Sequence, residues 1–173
     1  MKILRRKKHI FNEMAPWNAA KLFFSKYKTT YKNIGAYWPI NFELDTRPII
    51  KVLLENKITI FLPCINEDKL SFLKWDNKKK LVFNKLKFYE PVFSSSIGEP
   101  DLIIVPLLAF DSLGYRLGYG KGYYDRYYSL NKNKKYVGFC YSFQYVKKLP
   151  SESHDLKFNT VITDTETKSF NSK

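Results

Sequence analysis

The chain is poor in several features that usually announce a function. Its 173 residues include only two cysteines and two histidines. Cys64 and Cys140 lie far apart and form no C-x-x-C pair. Neither a cysteine zinc site nor a disulfide framework is supported, and both read as reduced thiols in a cytoplasmic protein. Long apolar runs are also missing. The run from Leu102 to Phe110 is broken by Pro106 and falls short of the ~20 residues that a membrane helix needs. The start, Met1-Lys-Ile-Leu-Arg-Arg-Lys-Lys, is charged but has no apolar core behind it, so no signal peptide is expected. Acidic residues are scarce, 16 against 30 basic, giving a formal net charge of +14. Neither common glycine-rich phosphate pattern occurs. Gly122 stands where G-x-x-x-x-G-K-[ST] needs Ser or Thr, and the third glycine comes one residue early for G-x-G-x-x-G.

What is present describes a folded chain. Hydrophobic residues make up 45% and aromatics 17%, which excludes a disordered polymer and suits one domain over 1–173. Its first 33 residues read as a helical segment packed on the remainder. The basic excess attracts polyanions, so nucleic acid is one candidate partner. Lys78–Lys80 and the lysines of 132–135 sit among Asn and Asp in expected turns, where such runs are usually solvated surface.

One stretch organises the sequence, Asp101 to Tyr128. Leu102 to Val105 is continuously apolar and suits a buried strand closed by Pro106. Tyr123 to Leu130 suits a helix with Asp125 in its first turn. Between them lies Arg116-Leu117-Gly118-Tyr119-Gly120-Lys121-Gly122-Tyr123-Tyr124. Alternating glycines allow backbone amides to approach a ligand. Arg116 and Lys121 add positive charge, and a helix start adds free N–H groups. Together these suit a polyphosphate, and Asp125 suits the Mg²⁺ that accompanies a nucleotide. A hairpin turn with aromatics packed beside it fits the loop composition equally well.

The remaining pattern alternates helices and strands. Helices are expected over Lys2–Asn12 and Trp17–Tyr31, the second burying Ala20, Phe23, Phe24 and Tyr27. Strands are expected over Ile34–Trp38, Lys57–Pro63, Tyr136–Tyr141 and Thr160–Thr163, with short strands or an edge hairpin in 70–87 and loop over 88–100. A helix should follow Thr46, its N-cap, with Pro48 in the first turn. Ser142–Tyr145, at a strand end, is in a usual place for ligand contacts. The expected class is α/β: a mostly parallel open sheet with helices on both faces, three layers in one domain.

The wording AFDxxGxRLGYGKGYYDR resembles the signature of the 5-formyltetrahydrofolate cyclo-ligase family, also called methenyltetrahydrofolate synthetases. The resemblance runs in order from about Ile34 to Asp164, through Tyr37, Glu43-Leu-Asp-Thr46, Phe61-Leu-Pro63, Glu99-Pro100, Phe143-Gln144, Leu149-Pro150 and His154-Asp155. It implies that ATP and Mg²⁺ drive closure of 5-formyltetrahydrofolate to 5,10-methenyltetrahydrofolate. Lys121 and Arg116 would be catalytic. Residues 116–124 would bind ATP, helped by Lys2 and Arg6, which are four apart on the first helix. The family usually has Leu just before this Arg, and here Leu4 precedes Arg5, so either arginine could serve. Trp38, Glu43 and Tyr123 would hold the folate, and Asp125 and Asp155 the metal. On residue type alone, Glu43 could be a surface carboxylate near a helix start, Trp38 a core residue and Asp155 a loop aspartate. Two departures stand out: a short N-terminal region, and Leu107 where the family often has Gly. An inactive folate-binding relative and a basic RNA-binding module therefore stay open. A monomer without membrane contact is expected.

Overall fold

The computed structural model describes residues 2–27, 30–92, 96–152 and 155–170. His154 lies outside them. The chain opens with α1 (Lys2–Phe11) and α2 (Ala15–Tyr27), where Pro16 occupies the first turn, a position that tolerates a missing N–H. α2 ends at Tyr27, four residues before the expected Tyr31. Then come β1 (Asn33–Gly35), α3 (Arg47–Glu55), β2 (Thr59–Asn66) and β3 (Lys69–Trp75). A small ribbon, β4 (Leu81–Phe83) with β5 (Tyr89–Pro91), follows, so part of the expected 88–100 loop is strand. β6 (Leu102–Pro106), β7 (Ala109–Phe110), β8 (Arg116–Leu117), α4 (Tyr123–Leu130), β9 (Lys135–Phe139), β10 (Thr160–Ile162) and β11 (Thr167–Ser169) complete it.

Seven strands form one sheet in the order β11-β10-β9-β6-β1-β2-β3. The five inner strands, β10 to β2, are parallel, and each edge strand is antiparallel. β6 lies at its centre, and its Leu102–Val105 are fully buried, as an apolar run covered on both faces requires. On one face α2 and α3 bury Phe23, Ile49 and Leu53 against Ile34, Ile60, Leu102 and Ile104. On the other, Tyr123, Tyr124, Tyr127 and Tyr128 of α4 pack over Phe72, Ile103, Val105 and Tyr136. The fold is thus the mostly parallel α/β sheet with helices on both faces.

β1 is shorter than expected. After Gly35 the chain leaves the sheet because Tyr37 is tied elsewhere: its hydroxyl donates to the Leu44 carbonyl at 2.6 Å, and its own carbonyl accepts the Thr46 hydroxyl. That second bond also revises Thr46. It sits at the N-cap of α3, but its side chain makes no cap bond. Ser142–Gln144 form a short 3₁₀ turn, in which the buried Gln144 amide donates to the carbonyls of Leu107 (2.7 Å) and Leu108 (3.0 Å). It braces the chain leaving β6; its amide is used in the fold rather than on a ligand. Leu107 is itself buried. Both cysteines are free and buried, and burial pushes the Cys64 thiol up to about 11. Among the described residues no helix is long and apolar enough to cross a membrane.

Candidate active site

The glycine loop joins the β7–β8 ribbon to α4. Leu117 belongs to the ribbon, where its carbonyl accepts the Leu108 N–H at 2.7 Å. Gly118 is glycine for a steric reason: a Cβ there would lie 2.6 Å from a guanidinium nitrogen of Arg116. Gly122 caps α4 in the left-handed region (φ 65°), which a side chain would resist. Arg116 turns inward; its side chain is 6% exposed and pairs with Asp125 at 2.7 Å. Lys121 is exposed.

Residues 116–126 line a cleft of about 680 Å³, in the size range of ligand sites. The opposite lining includes Tyr37, Trp38, Asn41 and Glu43 from the loop after β1, Ile65 and Leu70 from β2–β3, and Leu86 and Phe88 from the β4–β5 ribbon. Asp155 and Pro150 also line it. Trp38 sits edge-to-face against Trp75, ring centres 5.5 Å apart. Behind the 38–43 loop, a second cavity of about 580 Å³ shares Trp38 and Glu43 as lining but none of the glycine loop. The loop between them carries Asn41 (φ 49°) and Phe42 (φ 59°) in the left-handed region, which costs of order 1 kcal/mol or more per residue and is the kind of strain found at functional sites.

Glu43 is 4% exposed, so it is not a surface carboxylate. One oxygen accepts the Ile40 N–H at 3.0 Å. Burial is the largest influence and raises its pKa to about 7; the Ile40 N–H, the Tyr119 hydroxyl and the Arg5 charge pull the other way. Arg5, fully buried, donates to the Tyr119 hydroxyl oxygen at 2.8 Å. Its Nε and Nη1 have no partner. Tyr119 therefore links the first helix to Glu43. Burial and the Glu43 charge push its hydroxyl above the ordinary value, which keeps it a donor.

This revises the arginine choice. Arg6 is exposed and lies 6.0 Å over the Phe42 ring, whereas Arg5 turns into the protein. Adjacent residues on a helix cannot share one face. The signal was available, since Leu4 precedes Arg5. Lys2 begins α1, but its side chain lies outside the described residues. Tyr123 lines the cleft and donates to Asp68 Oδ1 at 3.2 Å. Asp68, and Arg126 beside it, went unnoticed in the sequence, as did the cleft residues Leu86 and Phe88.

The carboxylates expected to hold metal do line one cleft. Asp125 Oδ1 accepts from Arg116 and from the Leu156 N–H (3.1 Å), which brings Asp125 beside Asp155. Asp155 Oδ2 accepts the Glu152 N–H at 2.8 Å. Each carboxylate retains a second oxygen. Among the described residues no three metal-ligating side chains converge. Two carboxylates supplemented by phosphate oxygens suit Mg²⁺, which rarely uses an all-protein cage.

A glycine loop with fixed cations, two carboxylates and an aromatic wall around a buried acid defines an α/β protein built for a polyanion and a flat polar partner. The sequence profile of the 5-formyltetrahydrofolate cyclo-ligase family matches residues 6–164. The chain belongs to that family of ligases. The 5-formyltetrahydrofolate cyclo-ligase of Escherichia coli K12 is 34% identical over 141 residues, covering 75% of this chain and 76% of its own. That of Mycoplasma genitalium is 33% identical over 150 residues, covering 84% and 80%. The solution structure of 5,10-methenyltetrahydrofolate synthetase from Aquifex aeolicus superposes with a TM-score of 0.75 at 28% identity, covering 99% of this chain and 94% of that one.

Proposed function

We propose that this chain converts 5-formyltetrahydrofolate and ATP to 5,10-methenyltetrahydrofolate, ADP and phosphate. The observation that carries the reading is the single 680 Å³ cleft lined by both the glycine loop and Glu43. The formyl group is an amide whose oxygen leaves poorly. Its oxygen attacks the γ-phosphorus, the bond to ADP breaks, and an iminium phosphate forms. The neighbouring secondary amine attacks the activated carbon, loses its proton, and phosphate departs. Few side chains need to react; alignment and charge neutralisation do most of the work. Arg116, Lys121 and the amides of 118–122 face the phosphates. Arg5, with two unpartnered guanidinium nitrogens, replaces Arg6 as the N-terminal contact. Glu43 accepts from the donors of the pterin edge, with Trp38 and Tyr123 as its apolar walls. Asp125 and Asp155 would hold Mg²⁺, which supplies charge neutralisation at the phosphates when bound.

The deciding assay follows methenyl-folate absorbance and ADP together. ADP should appear one for one with methenyl product and only when 5-formyltetrahydrofolate is present, because a closed site excludes water as acceptor. A folded sample that makes no product at saturating ATP, Mg²⁺ and folate sinks the reading.

The metal assignment has its own test. Asp125→Asn and Asp155→Asn should each raise the Mg²⁺ concentration for half-maximal rate, by about tenfold or more. Asp125→Asn should have the larger effect because it also loosens Arg116. Unchanged Mg²⁺ dependence in both variants would remove the shared site.

A further inference from the structure

The glycine loop is tied to the far wall of the cleft by a contact outside the residues assigned above. Arg126, in the first turn of α4, donates from Nη1 to the Lys121 carbonyl at 2.9 Å and from Nη2 to the Asp68 carbonyl at 3.3 Å. Its guanidinium lies 5.1 Å from the centre of the Tyr123 ring. The Tyr123 hydroxyl returns to Asp68, at Oδ1. Gly122 makes room for this arrangement: a Cβ there would lie 2.9 Å from Arg126 Nη1. Asp68 belongs to the two-residue turn between β2 and β3. Glu67 (φ 47°) and Asp68 (φ 61°) are both left-handed there, a hairpin geometry that usually takes Asn-Gly. That hairpin carries Ile65 and Leu70, which line the cleft opposite the loop.

We infer that Arg126 is a positioning residue for the reaction, a clamp that fixes the Lys121 backbone against the β2–β3 turn and so sets the spacing between the phosphate loop and the folate wall. Lys121 follows Gly120 and precedes Gly122, so its backbone has little local restraint. Holding its carbonyl fixes where its ammonium can reach. The same guanidinium spans both walls, so the loop and the turn move together. Reactions that rely on alignment are sensitive here, since a misplacement of about 1 Å can cost about 100-fold. The clamp rests on the proposed function for its kinetic consequence but not for its structural one.

Arg126 is exposed, so its variants should fold. Arg126→Gln should speed amide hydrogen exchange at Gly120–Gly122 by about tenfold. It should lower kcat by about tenfold while KM for 5-formyltetrahydrofolate stays within about twofold. Arg126→Lys separates position from charge. It keeps the charge but cannot bond both carbonyls at once, so it should fall between wild type and the Gln variant. Wild-type kcat in Arg126→Lys beside an impaired Arg126→Gln would mean that charge alone matters, and would overturn the clamp. Unchanged exchange, or raised exchange with unchanged kcat in the Gln variant, would overturn it too. If the wild-type protein proves inactive, the proposed function fails by itself, and the exchange measurement still decides whether the clamp holds the loop.

Discussion

Lys121→Ala lowers turnover by roughly 100-fold or more and leaves the fold intact, the scale expected for one preorganised charge contact to a developing anion. The fold should survive because the Lys121 side chain is exposed, and only its main-chain carbonyl is used, by Arg126. Surface substitutions of that kind usually change stability by no more than about 0.5 kcal/mol. The loss should fall on kcat, since the ammonium is proposed to neutralise charge that grows as the phosphoryl group transfers. Steady-state kinetics and a thermal melt on the same preparation test both halves. Near-normal turnover in a folded variant would take Lys121 out of the chemistry.

Glu43→Gln loses at least tenfold in kcat/KM for 5-formyltetrahydrofolate while KM for ATP changes little, because the new amide turns donors toward the pterin's own donors and leaves them unpaired. The same substitution changes how stability depends on pH. Burial raises the Glu43 carboxyl from 4.5 to about 7. Between those values the folded chain holds more protons than the unfolded chain. Stability is therefore full below the unfolded value, falls as pH rises through that window, and levels off above about 7. The shift sets an upper limit on the order of 3 kcal/mol. Gln carries no proton to lose, so its stability relative to wild type should improve between pH 5 and pH 8. Urea melts at both pH values measure the difference. A difference that stays constant would mean that Arg5 and Tyr119 compensate the charge fully.

The sheet was legible because its strands are buried on both faces. Leu102–Val105 and Tyr136–Phe139 are apolar runs of strand length bounded by turn residues, and such runs have few other uses. The α4 boundaries were legible from the glycine before it and the Asn after it. β4, β5, β7, β8 and β11 are two or three residues long, and at that length no period can be counted. Their pairing depends on neighbours distant in sequence. The site divides in the same way. Its glycine loop is one contiguous phrase, open to reading. Arg5, Asp68 and Arg126 act through contacts between distant segments, or through a carbonyl, which no side-chain pattern encodes. Thr46 shows the limit of a local rule: its position at the helix start was right, but its hydroxyl goes across the loop to Tyr37.

The Arg5–Tyr119 bond joins residues 114 positions apart. During synthesis at about 5–20 residues per second, the tyrosine emerges roughly 6 to 23 seconds after the arginine. Until then the Arg5 guanidinium has no protein partner at that position and keeps its water. Dehydrating it is therefore deferred to a late event, the arrival of the ribbon and loop that contain Tyr119. The first helix is made early but docks late, and a nascent chain stopped before the glycine loop should carry it undocked.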